Sequence, residues 1–144
     1  MKKVICMILA AVLCAGVLAG CAVRIGTGRQ PLPENPAVFT LGEYVPEGED
    51  TGYTVLQNDG KVFLPYGTIR PAGPMRDLSY AYGDCLGYVE GDTNDRVYAL
   101  SDDPGEAWLI RFYEGGIMEV PMVFREVNDT GPVPESVEAF EDGE

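Results

Sequence analysis

The sequence predicts a small, single-domain, all-β protein: an antiparallel barrel or sandwich of about seven strands built from hairpins. Three observations predict it. Runs rich in Val, Ile, Tyr, Phe and Trp recur at spacings of about 8 to 12 residues, broken by many of the chain's 18 Gly and 11 Pro. Asn-Asp-Gly and Glu-Gly-Gly clusters stand between those runs, where a tight turn needs residues that tolerate positive φ. No useful window carries the 3.6-residue apolar stripe of an amphipathic helix.

The first strand is expected over Val38–Tyr44. Tyr53–Gln57 and Lys61–Leu64 flank Asn58-Asp59-Gly60 and read as a hairpin with a type I′ turn. A second hairpin is expected from Leu86–Glu90 and Arg96–Leu100 around Gly91–Asp95. A third runs from Ala107–Tyr113, across Glu114-Gly115-Gly116, into Ile117–Val120 and on through Met122-Val123-Phe124 after Pro121. Alternation puts Trp108, Ile110 and Phe112 inward, with Trp108 as core anchor, and leaves Leu109, Arg111 and Tyr113 partly exposed. Residues 134–141 (PESVEAFE) are the best candidate for a short C-terminal helix with Ser136 as N-cap, although Ala139 stands where a capping box would place Glu or Gln.

Ahead of the domain, Lys2 and Lys3 precede an apolar run from Val4 to Leu18, the pattern of an export signal. A membrane-spanning helix needs about 20 apolar residues, and Gly16, Gly20 and Arg24 interrupt this one. The run closes on Leu18-Ala19-Gly20-Cys21, which resembles the lipobox of bacterial lipoproteins. The resemblance covers residues 1–21 only and is silent about the rest of the chain. It implies diacylglycerol on the Cys21 thiol, cleavage before Cys21, and a further acyl chain such as palmitate on the new amine. Two chains suffice for stable anchoring where one does not. The implied location is the extracytoplasmic face of a bacterial cell membrane, with the membrane as a partner through the lipid.

The domain plan that follows is residues 1–20 as signal peptide, 21–36 as lipidated N-terminus and flexible tether, 37–128 as β domain and 129–144 as acidic tail. The Gly- and Pro-bearing tether would reach about 20 Å, with Arg24 and Arg29 near lipid headgroups. Of the four cysteines, Cys6 and Cys14 would leave with the signal and Cys21 would be acylated. Cys85 is then left without a disulfide partner and reads as a small core residue.

Charge narrows the function. The formal net charge is −13; after processing, roughly 124 residues would carry about −15. Such a chain repels phosphate backbones and anionic headgroups, and it has no basic stripe, so nucleic acid is not an expected partner. With no His, it lacks the usual general base near neutral pH and the commonest transition-metal ligand. Gly26-Thr27-Gly28 lies in the tether and not between a strand and a helix, so no phosphate-binding loop and no cofactor is expected.

Two groups of residues remain as candidate sites. Residues 65–84 read as a long Pro- and Gly-rich loop in which Arg70, Arg76, Tyr80 and Tyr82 combine the side chains enriched where proteins meet, so a non-enzymatic module binding an envelope protein or glycan is the leading expectation. The alternative is a carboxylate-dependent envelope hydrolase or a calcium-dependent binder. Glu90, Asp92, Asn94 and Asp95 are its candidate metal ligands, and Asp102-Asp103-Pro104-Gly105-Glu106 is a looser second cluster. Neither run has the Gly and Glu spacing of an EF-hand loop, and turn chemistry alone accounts for both.

Overall fold

The computed structural model describes residues 30–116 and 119–141. Eight strands form one sheet among them: β1 (Ala37–Tyr44), β2 (Tyr53–Asn58), β3 (Lys61–Ile69), β4 (Tyr82–Val89), β5 (Asp92–Leu100), β6 (Trp108–Tyr113), β7 (Met122–Glu126) and β8 (Val137–Ala139). Their order is β2-β1-β4-β5-β6-β7-β3-β8, and β2 also pairs with β3. That last pairing closes the first seven strands into a barrel and leaves β8 as an added strand on β3. The all-β barrel expectation therefore holds, with one strand more than the seven anticipated.

The β2–β3 hairpin forms for the local reason anticipated. Asp59 and Gly60 both sit at positive φ, 49° and 77°, and the register pairs Asn58 with Lys61 across them. One pairing breaks the antiparallel expectation: Ala37–Phe39 of β1 run parallel to Gly87–Val89 of β4. Gly87 permits it, because a Cβ there would lie 1.8 Å from the Ala37 carbonyl oxygen. Gly67 serves β8 in the same way, with the Glu138 carbonyl oxygen 2.0 Å from where its Cβ would be.

Several boundaries move. β3 continues through Pro65 to Ile69 because the β3–β7 register shifts between Pro65 and Gly67. The irregularity accommodates a residue without an N–H to donate. The connecting loop is thus 70–81, not 65–84. In the second hairpin the strands run almost to the turn, and β5 starts at Asp92, so the acidic run expected in a turn is largely strand. In the third, the second arm is Met122–Glu126, and Glu119–Pro121 carry no strand. Ile117 and Met118 lie outside the described residues.

Burial corrects the alternation in β6. Trp108, Leu109 and Ile110 are all buried, because the strand is covered on both faces. Through β5, β6 and β7 the register aligns Tyr98 with Ile110 and Ile110 with Val123 on one side, and Leu109 with Phe124 on the other. The first side belongs to a cluster that includes Trp108, Cys85, Ile69 and Val137. The second belongs to one with Val97, Phe39, Leu56 and Phe63. A strand buried on both faces loses its polar alternation and reads as a continuous apolar run.

The ends of the domain also differ from expectation. No α-helix occurs at 134–141. Val137–Ala139 pair with Ile69–Gly67 as β8, and Ser136 is buried with its hydroxyl donating to Asp102 Oδ1 at 2.6 Å. Residues placed in a solvated tail therefore complete the sheet. At the other end, Gln30 Nε2 donates to the Gly83 carbonyl at 2.8 Å and Gln30 Oε1 accepts from the Cys85 N–H at 2.9 Å. Gln30 thus lies along β4 ahead of β1, inside the stretch read as tether.

Candidate functional site

The 70–81 loop leaves β3 and enters β4 through a short 3-10 turn, Ser79–Ala81. Its base is riveted to the barrel. The Arg70 N–H donates to the Ser136 carbonyl at 2.7 Å, the Tyr80 hydroxyl to the Arg70 carbonyl at 2.7 Å, and the Ser101 hydroxyl to the Tyr80 carbonyl at 2.9 Å. Beyond the base, Ala72 and Asp77 exchange two backbone hydrogen bonds of 2.9 Å, pinching residues 73–76 into a small protruding turn. Gly73-Pro74 starts that turn, and Arg76 completes it at φ 52°, an uncommon conformation for a residue with a side chain. Asp77 Oδ1 accepts the Ser79 N–H at 2.8 Å, and this hydrogen bond holds its carboxyl below the ordinary carboxylate value.

Of the four residues singled out in the sequence, the loop brings Arg70 and Tyr80 together and presents Arg76 at its tip. Tyr80 is 42% exposed, and partial burial, with Asp102 nearby, raises its phenol above the ordinary value. Tyr82 is different. Its ring packs edgewise on Tyr98, centroids 5.0 Å apart, and on Phe112 at 6.3 Å. Its hydroxyl is buried with no hydrogen-bond partner among the described residues, and burial drives that phenol strongly upward. Tyr82 turns its hydroxyl into the packing and is half-buried. Sequence reasoning missed Met75, which is 89% exposed beside Arg76. Its place after Gly73-Pro74 was the available cue, since that pair marks a turn.

Electrostatically the loop stands apart from the rest of the barrel. Arg111 forms a two-pronged pair with Asp95, Nη2 to Oδ2 at 2.8 Å and Nε to Oδ1 at 2.9 Å. Arg125 pairs with Asp129 at 3.0 Å while its guanidinium carbon lies 5.0 Å from the Trp108 ring centroid. Lys61 reaches Glu126 at 3.5 Å. Arg96 Nη1 donates to the Gln30 carbonyl at 3.3 Å and lies 3.9 Å from the Cys85 sulfur. Among the described residues, neither Arg70 nor Arg76 has a carboxylate partner; the Arg70 guanidinium meets only the Val137 carbonyl, at 3.3 Å.

The acidic candidates are dispersed. Glu90 is exposed beside Gly91 in the β4–β5 turn. Asp92 Oδ1 accepts the Asn94 N–H at 2.8 Å, and the Asp92 carboxylate raises the Tyr113 phenol through a hydrogen bond. Asp95 is committed to Arg111. In the second cluster Asp102 receives Ser136, while Asp103 accepts from the N–H groups of Gly105 and Trp108. Among the described residues no three His, Cys, Asp or Glu side chains come together as a metal site would require.

Clefts also mark the described surface. One of about 270 Å³ lies over Asp95, Arg111, Tyr113 and Met122. Another of about 340 Å³ has Phe39, Phe63 and Leu109 beneath a rim that includes Lys61, Asp59 and Glu106. Each is half open, and neither gathers the nucleophile and base of a reaction centre. Cys21 and the residues expected to form an export signal lie outside the described residues, and among the described residues no helix is long and apolar enough to cross a membrane. In comparisons with known proteins, the chain matches no family model, no curated protein and no solved structure.

Proposed function

We propose that this chain is a bacterial lipoprotein, acylated at Cys21 and held on the extracytoplasmic face of the membrane, whose barrel binds an envelope protein through the tip of the 70–81 loop. The lipobox supports the first part. The second is carried by one observation: in a chain of net charge −13, Arg70 and Arg76 stand in one loop without a carboxylate partner among the described residues, whereas Arg96, which also lacks one, is spent on the Thr93 and Gln30 carbonyls. A guanidinium left unpaired beside exposed Met75 and Tyr80 is the combination that interfaces enrich. The protein is an accessory or binding module and not an enzyme in this reading.

Each part has its own test. Mass spectrometry of the native protein should find Cys21 as the mature N-terminus carrying acyl mass, and an unprocessed Met1 terminus would end the lipoprotein reading. For the loop, a photo-crosslinking residue in place of Met75 in the full-length chain should give one discrete adduct in the native envelope. Arg76→Glu in the same chain should abolish it. A diffuse ladder of adducts, or an adduct indifferent to Arg76→Glu, would assign the loop no partner.

A further inference from the structure

β1 outruns its neighbour. Its first three residues pair with β4, and the last bond on that side is the Glu90 N–H to the Phe39 carbonyl, 2.8 Å. On the other side, the Val38 carbonyl accepts the Asn58 side-chain amide at 2.9 Å, and Thr40 to Tyr44 pair with β2. Alternate residues of a strand present their N–H and C=O groups to opposite sides. Phe39 faces β4, so Leu41 and Glu43 face the same way, past the point where β4 has turned off at Glu90 and Gly91. Among the described residues, none supplies a hydrogen bond to the main chain of Leu41 or Glu43 on that side.

The side chains along this open edge carry a second signal. Leu41 is 46% exposed although its cross-strand partner Leu56 is fully buried, and Val45 is 51% exposed. Apolar side chains on an unpaired edge are a template for strand addition, and natural edges are commonly shielded. The charge around it has one sign: Glu43 on the edge, Glu47, Glu49 and Asp50 in the loop that follows, and Glu90 where β4 leaves. A second copy pairing edge to edge about a two-fold axis through Glu43 would set Glu43 against Glu43, which is destabilising.

The geometry points to the Leu41–Val45 edge as a strand-addition site for an extended, basic segment of a partner protein. Main-chain bonds to Leu41 and Glu43 give the affinity, an apolar residue covers Leu41, and alternate Lys or Arg side chains meet the acidic border. The site is independent of the 70–81 loop. The loop feeds the start of β4 and the open edge lies beyond its end, so an eight-residue strand, about 26 Å at strand rise, separates them.

The test uses the full-length protein, purified in detergent, with two synthetic peptides of about seven residues, one alternating Lys and Val and the other Glu and Val. Titration with the Lys peptide should slow amide exchange at Leu41 and Glu43, read by NMR, while the Glu peptide leaves both unchanged. Glu43→Pro deletes an N–H that points away from β2 and should weaken the Lys peptide about tenfold. Should that variant fail to fold, Glu43→Lys decides, and should shift preference toward the Glu peptide. The proposal is overturned by no binding at millimolar peptide, by binding that leaves Leu41 and Glu43 unprotected, or by equal binding of both peptides. Concentration-dependent protection of the edge without peptide would assign it to a second copy and overturn it too.

Discussion

The segment before β4 and the segment after it are both rich in charge, Gly and turn residues, yet their charges do different work. Between 92 and 106, Asp92, Asp95, Asp102 and Asp103 are taken up by backbone N–H groups, by Arg111 or by Ser136. They are structural, each closing a turn or fastening one strand to another. Between 70 and 81, the carboxylate of Asp77 is used in that way, but among the described residues the guanidinium groups of Arg70 and Arg76 are left without an acid, as is that of Arg96, which the Thr93 and Gln30 carbonyls hold instead. A cluster of charge is a weak pointer to function, whereas a charge that the fold has not neutralised is a stronger one.

That contrast is most sharply strained by alkali. Burial, with the Glu114 carboxylate adding to it at both, lifts the Tyr82 and Tyr98 phenols far above their ordinary value of 10.0. A raised folded-state value favours the fold fully below the unfolded value and loses that contribution as pH climbs past it. Unfolding should therefore set in above about pH 10. Tyr82→Phe should move the midpoint upward, followed by circular dichroism, because one buried group that must ionise is gone. A midpoint unchanged by Tyr82→Phe would return Tyr82 to the surface.

Next in size is Asp102→Ala, which strips the buried Ser136 of the acceptor for both its N–H and its hydroxyl. A loss of about 2 kcal/mol is expected in urea unfolding, and a change within about 0.5 kcal/mol would mean that the acid is merely solvated. Tyr80→Phe and Tyr82→Phe should then separate in sign at neutral pH. The first breaks the bond to the Arg70 carbonyl and should cost about 1 kcal/mol, while the second removes an unsatisfied buried hydroxyl and should stabilise by up to about 1 kcal/mol. Arg76→Glu at the tip should stay within about 0.5 kcal/mol while removing the Met75 adduct. Smallest is the acid limb. Asp77 and Asp129, both held below 3.8 by backbone hydrogen bonds, support the fold above that value and lose their contribution as pH falls through their lower folded values. Asp77→Ala should flatten that limb slightly in an acid titration of stability.

Legibility followed the range of the cause. The Asp59-Gly60 turn was readable because two adjacent residues decide their own φ. Trp108 was readable as an anchor because an aromatic in a β-rich run has few other places to go. Leu109 was misread, since alternation assumes one wet face and a second buried cluster covers it. Val137–Ala139 resembled helix more than strand until Ile69 supplied the ladder. Among the site residues, Arg76 and Tyr80 kept the exposure that composition suggested, while Tyr82 turned inward only because Tyr98 and Phe112 lie across the sheet.

From its own letters the chain determined an apolar N-terminal run closing on Leu18-Ala19-Gly20-Cys21, a strongly acidic balance without histidine, and a series of β-runs with turn residues between them. Each of these is set by composition or by neighbours a few residues apart. Only the tertiary structure decided that β1 lies parallel to β4 and then outruns it, that β8 completes the sheet, and which arginines keep their charge to themselves. Those outcomes depend on pairings between residues tens of positions apart, where local propensity is silent and the closing of the barrel selects the partners.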